Sequence, residues 1–144
     1  MKKVKSIILM AVVILAFASC AKEDVPTPSV PSLTDSIEMA KGSWIVNYYY
    51  DNSNGVSNDF DGWTFSFNAD GTIIVASGAE SFSGSWVVEN SDDDPNFDTE
   101  MVITISGNTL MDKLDHKWLI TELTDSTMHL KDDSGNEEIH FEKI

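Results

Sequence analysis

The chain has 144 residues, 24 acidic and nine basic, a formal net charge of −15 and a single cysteine. So acidic a surface repels phosphate backbones and argues against any nucleic-acid partner. One cysteine cannot make an internal disulfide, so its thiol needs another explanation.

Lys2, Lys3 and Lys5 form a positive start, Ile7 to Phe17 is an unbroken apolar run, and Ala18-Ser19-Cys20 follows. A spanning helix needs about 20 apolar residues. This run is shorter, ends in small residues, and reads as a signal peptide over 1–19. Ala18-Ser19-Cys20 resembles the lipobox of bacterial lipoproteins, with Phe17 where that motif usually carries leucine. The resemblance implies that Cys20 becomes the acylated, palmitate-bearing first residue of the mature chain. Its acyl chains would bind membrane through buried methylenes worth about 0.8 kcal/mol each. Ala21-Lys22-Glu23-Asp24 looks like the short charged signal that sends some lipoproteins to the outer face of the outer membrane. The expected location is therefore the cell envelope, lipid-anchored to the outer membrane. Val25 to Pro31 has three prolines in seven residues and should be an extended, semi-rigid spacer, making 20–31 a lipidated tether. After removal of the signal, six basic residues face 24 acidic ones, a charge near −18. The lipid on Cys20, and no basic patch, must then hold the protein to the membrane.

Residues 32–144 are enough for one domain with a core that needs neither disulfide nor metal. Ser32 to Lys41 predicts one short helix, with Thr34 as its N-cap. A second helical turn is weakly indicated at Met111 to Leu114. Strand signals fill the rest. Trp44 to Tyr50 is a first strand. Trp63-Thr64-Phe65-Ser66-Phe67 alternates rings with hydroxyls, the mark of a half-buried strand. Asn68-Ala69-Asp70-Gly71 is a tight turn in which Gly71 is free to take positive φ. Further strands are predicted at Thr72–Ser77, Phe82–Glu89, Met101–Ser106, Lys117–Leu123, Thr127–Lys131 and Glu137–Glu142. Gly42-Ser43-Trp44-Ile45-Val46-Asn47 is echoed by Gly84-Ser85-Trp86-Val87-Val88-Glu89, which suggests similar strand positions where glycine lets an indole lie against backbone. The fold class is all-β: about eight antiparallel strands in an up-and-down barrel, a closure that removes exposed edges.

A short helix, then Gly42-Ser43-Trp44 opening the first of eight antiparallel strands, resembles the lipocalin-like proteins, and in particular the lipocalin-like domains of bacterial envelope lipoproteins. The Gly84-Ser85-Trp86 and Trp118-Leu119-Ile120 strands look like that group too. The resemblance spans roughly residues 33 to 143 and implies a barrel that holds a small apolar ligand or serves an envelope complex. Alternating the connections puts the helix, the tether, the Asn68–Gly71 turn, the Asp92-Asp93-Asp94 loop, the Asp125 turn and the C-terminus at one end. The long Asp51 to Gly62 loop then falls at the opposite mouth. Trp44, Tyr48, Trp63, Phe65, Phe67, Trp86 and Trp118 are the candidate inward set, with Tyr49 outside. An eight-stranded barrel is wide enough either to be filled by side chains or to hold one small ligand. These rings therefore either line a pocket or form a solid core.

Catalytic signatures are missing. The sequence has no Gly-x-Ser-x-Gly, no His-Glu-x-x-His and no Gly-rich phosphate loop, and no cofactor is implied. If the last hairpin pairs residues whose numbers sum to 269, His129 and His140 face each other with Glu138 or Glu142 nearby, a weak zinc candidate against the plainer reading of two outward polar residues. Asp92-Asp93-Asp94 with Asn96 and Asp98 offers oxygen ligands for calcium but lacks the known loop spacing. Three functions stay open. One is a tethered barrel that captures a small apolar molecule or serves an envelope protein. Another is a filled barrel that interacts through its outer face. An enzyme is the least favoured and would need a histidine or carboxylate turned inward.

Overall fold

The computed structural model describes residues 32–92 and 99–144. The signal segment, Cys20 and its tether, and positions 93–98 of the acidic loop with the calcium candidates they carry, lie outside the described residues.

The chain forms one short helix, α1 (Leu33–Ala40), then β1 (Gly42–Asp51), β2 (Gly55–Ser57), β3 (Thr64–Phe67), β4 (Thr72–Ser77), β5 (Glu80–Asn90), β6 (Thr99–Ile105), a 3₁₀ turn (Met111–Lys113), β7 (Lys117–Leu123), β8 (Thr127–Asp132) and β9 (Glu137–Lys143). From β3 onward each strand pairs antiparallel with the next, and β1 pairs with β9 to close the barrel. β2 is an addition to the eight. One edge of β1 is held by β3 along Gly42–Ile45 and then by β2 along Tyr49–Asp51.

Ser32, not Thr34, caps α1; its Oγ accepts the Asp35 backbone N–H at 3.4 Å, and Thr34 lies inside the first turn. The helix is pinned at its other end by Trp44, whose indole N–H donates to the Ala40 carbonyl at 2.9 Å. Trp118 does the same for the 3₁₀ turn, donating to the Leu114 carbonyl at 3.1 Å. Each indole thus opens a strand four residues after a short helix and satisfies a carbonyl that the helix end leaves unpaired. Trp86 donates instead to Asn68 at 3.0 Å, across a turn. The Gly42 and Gly84 segments therefore share a sequence pattern but not a role. A Cβ at Gly84 would sit 2.1 Å from the Thr104 carbonyl oxygen, so this glycine admits the backbone of β6 rather than an indole. Gly71, at φ +83°, ends the Asn68 turn as its sequence requires.

β1 carries a bulge. Val46 pairs with Phe141 and Tyr48 with the adjacent His140, leaving Asn47 without a partner. One extra residue reverses the inward–outward alternation beyond it. Trp44 points in, and so does Tyr49, while Tyr48 points out.

The near end of the barrel holds α1, the Asn68 turn and the C-terminus, where Lys143 N–H donates to the Ser126 carbonyl and Ile144 N–H to that of Ser43, both at 2.9 Å. The far end gathers the Asp51–Gly62 connection, the 3₁₀ turn and the β8–β9 turn; Asn52 N–H reaches the Asn136 carbonyl there at 2.8 Å.

Candidate functional site

The interior is packed with rings. Trp44, Phe65, Phe67 and Trp118 are at most 1% exposed; Trp86 and Trp63, nearer the ends, are 6% and 9% exposed. A void wide enough for water would leave accessible surface on its walls. Yet Ile73, Val75, Leu130, Ile139 and Phe141, on three different strands, show 0–1%. The rings also touch in series. Tyr49 meets Phe60 at 5.0 Å between centroids, Phe60 meets Phe65 at 5.8 Å, and Phe65 meets Phe141 at 5.1 Å. Phe141 then meets Phe67 at 6.0 Å, and Phe67 meets Trp86 at 5.4 Å, all edge to face. This spine runs from the far mouth to the near end.

The inward expectation for Tyr48 is corrected, as is the outward one for Tyr49. The bulge at Asn47 puts Tyr49 in the core at 1% exposure and Tyr48 on the outer wall, stacked on His140 at 4.6 Å.

The far mouth is stoppered. Phe60, from the long connection, is fully buried under it with Met111 and Leu114 of the 3₁₀ segment. Lys113 clasps the two pieces. Its Nζ lies 2.7 Å from Asp59 Oδ2, 3.9 Å from Asp51 Oδ2, and 5.2 Å from the Tyr49 ring centroid. The Lys113 ammonium holds the Asp59 carboxyl below its usual range. Beneath the clasp, Tyr49 Oη donates to Glu137 Oε1 at 2.8 Å, and Glu137 Oε2 lies 3.0 Å from His116 Nε2. Burial first, and then the Glu137 carboxylate, push the Tyr49 phenol far above its ordinary value, so it is a fixed donor. His116 packs on Trp118 at 4.7 Å and lines a shallow outer groove of about 370 Å³ with Lys117, Asp132, Asp133 and Ser134. The groove mixes both signs of charge and does not enter the barrel interior. Sequence reasoning missed Phe60, Met111, Leu114 and Glu137 as mouth residues. A lone aromatic in the polar run Asn58-Asp59-Phe60-Asp61-Gly62 was the available signal.

The outer wall has two unlike halves. Across β1 and β7 to β9, outward residues form the row Tyr48–His140–His129–Glu122 and the row Tyr50–Glu138–Lys131, which ends at the buried Leu119. At its edge Lys117 Nζ holds the buried Glu100 at 2.7 Å. On β1 and β3 to β5, the rows are Ile45–Thr64–Ala76–Ser81 and Ser43–Ser66–Ile74–Ser83, followed by Ser85–Thr104 and Val87–Val102 on β5 and β6. These rows are uncharged until Ile45 meets Glu142 of β9 at one edge and Val102 meets Lys117 of β7 at the other.

His129 and His140 pair as the 269 sum requires. Their rings stack face to face at 3.8 Å and 18°, with Tyr48 against the other side of His140. Parallel rings do not aim their nitrogens at one point. The carboxylates are dispersed as well: Glu138 sits 2.6 Å from His140 Nε2, and Glu122 3.7 Å from His129 Nδ1. Among the described residues no three His, Cys, Asp or Glu side chains form a metal-binding group. Burial first, and then the neighbouring His140, lower the His129 imidazole below its ordinary value.

The fold is that of a lipocalin-like barrel. The chain is similar to a lipocalin-like protein from Bacteroides uniformis, with TM-score 0.54, 15% identity, and coverage of 74% of this chain and 99% of that one. It is also similar to a DUF4847 family protein from Bacteroides vulgatus, with TM-score 0.51, 14% identity, and coverage of 74% and 94%. At such identities the likeness shows the fold. No protein-family model matches the sequence, and no curated protein matches it.

Proposed function

We propose that this protein is a non-enzymatic envelope lipoprotein, held by a lipid on Cys20, whose barrel works through its outer surface as an interaction module. The observation that carries the module reading is the aromatic spine from Tyr49 to Trp86, which occupies the space where a small apolar ligand would lie. The stoppered mouth supports it, since Phe60 and the Lys113 clasp stand across the entrance. The anchoring rests on the lipobox-like Ala18-Ser19-Cys20 and the proline-rich spacer after it.

Native mass spectrometry of the chain from Ala21 onward, purified gently from its own host, tests the module. A bare mass, with no quenching of tryptophan fluorescence by lipophilic probes, is expected. An extra mass that leaves on denaturation would mean a container. Replacing Cys20 by alanine in the full chain tests the anchor: the protein should leave the membrane fraction, and retention there would refute lipid attachment.

A further inference from the structure

We infer that the Asn54-Gly55 peptide is a self-modification site: its side-chain amide converts spontaneously to a carboxylate, restrained by Asp51, and the product unfastens β2. This goes beyond the surface-module reading and holds whether or not that reading does.

The chemistry needs only a suitable neighbour. The backbone nitrogen of the residue after an asparagine can give up its proton and attack the side-chain Cγ. The side-chain nitrogen leaves as ammonia, taking up that proton, and a succinimide ring closes. Water then opens the ring at one of its two carbonyls. One opening gives aspartate. The other gives isoaspartate, in which the main chain runs through the side-chain carbon and gains a methylene. Water enters and ammonia leaves, with no oxidant or reductant. Glycine favours the attack because it has no side chain to crowd the nitrogen and its backbone turns freely. Asn54-Gly55 is the single Asn-Gly pair in the chain.

Its place in the fold suits the reaction. Asn52, Ser53 and Asn54 are the exposed tip of the β1–β2 turn. Gly55 takes φ +75°, and a Cβ built on it would meet nothing within 4 Å. Beyond the turn β2 is only three residues long, so local opening is easy. Other asparagines are better held. Asn52 donates its N–H to the Asn136 carbonyl at 2.8 Å and its Nδ2 to Asn136 Oδ1 at 3.3 Å. Asn68 Nδ2 donates to Thr72 Oγ1 at 3.0 Å, and Asn108 Oδ1 accepts the N–H groups of Leu110 and Met111, both at 3.0 Å. The residues after these three are serine, alanine and threonine.

Asp51 is the brake. Its Oδ2 accepts Asn54 Nδ2 at 2.8 Å, while its Oδ1 accepts the Ser53 N–H at 2.8 Å. The first bond holds the amide in place, and the carboxylate charge disfavours the anionic nitrogen that must attack. The same contact makes the product matter. A donor facing Asp51 is replaced by a like charge, and the isoaspartate methylene upsets the Asp51–Gly55 pairing that starts β2. Asp51 Oδ2 also lies 3.9 Å from Lys113 Nζ, so the change reaches the clasp at the mouth.

The test is peptide mass mapping of the full chain in detergent during incubation at mildly alkaline pH, with isoaspartate read by enzymatic methylation. Asn54 should gain the mass difference between an amide and a carboxylic acid before any other asparagine does. Asp51→Ala should speed the conversion several-fold, and Gly55→Ala should slow it. Hydrogen exchange of the Tyr49–Ser57 amides in Asn54→Asp should quicken by roughly fivefold, the factor that about 1 kcal/mol between like charges represents. Circular dichroism should stay native in all three variants, which alter only the turn. Three results would each overturn the inference: Asn54 intact in the folded chain while the urea-unfolded chain converts, a conversion not accelerated by Asp51→Ala, or unchanged exchange in Asn54→Asp.

Discussion

Inside the barrel, Phe65 and Phe67 of β3 meet Phe141 ring to ring and expose almost nothing, whereas their neighbours Thr64 and Ser66 on the same strand turn small hydroxyls to the outside. The interior is set by volume: six aromatic rings touch in series along it. The wall is set by what it meets, and its two sides differ, one carrying the His140–His129 stack with its glutamates and the other two rows of serine, threonine, alanine and isoleucine across β1, β3, β4 and β5. On the function proposed above, such a barrel keeps the lipocalin-like outline while its specificity lies on the surface.

Breaking the interior should have the largest effect. Phe65→Ala deletes a ring in contact with both Phe60 and Phe141 and should cost about 3–5 kcal/mol in chemical denaturation. Gly84→Ala forces a methyl onto the β6 backbone and should cost about 1–3 kcal/mol, read the same way. Tyr49→Phe removes the donor to Glu137 and should cost about 1 kcal/mol while keeping the ring packing. On the wall, Ser66→Asp should change stability by no more than about 0.5 kcal/mol, since it touches no core contact.

The smallest effect is a pH dependence on the charged wall. Folding disfavours the charged form of His129, so near its ordinary value of 6.5 the unfolded chain binds more protons than the folded one. Stability should therefore fall as pH drops through about 6.5 and level off below the lower folded value. Denaturation at stepped pH should show a shallower slope in this window for His129→Gln than for the parent.

Much of the barrel was legible because its strands alternate cleanly and its turns carry glycine or asparagine. β4 and β7 have the limits expected from sequence, and the register posed as a condition for the last hairpin, His129 opposite His140, is the one observed. What escaped the sequence was local. A bulge needs only one unpaired residue, and nothing in Val46-Asn47-Tyr48 marks it, so Tyr48 and Tyr49 were exchanged between the faces. Phe60 sits among polar residues of a loop and is buried against Tyr49 and Phe65 of the flanking strands, which periodicity cannot register. β2 is three residues long and too short for any pattern. The two unlike halves of the wall became visible only once the register joined outward residues across strands.

The most direct test of a filled interior compares thermal melting of the parent chain and Phe65→Ala with and without saturating benzene. A dry cavity lined by apolar side chains binds such a molecule, and binding to the folded state raises the melting temperature. The parent should be unaffected and the variant stabilised, because only the variant has room. A rise in the parent itself would show that the barrel is hollow and contradict the account.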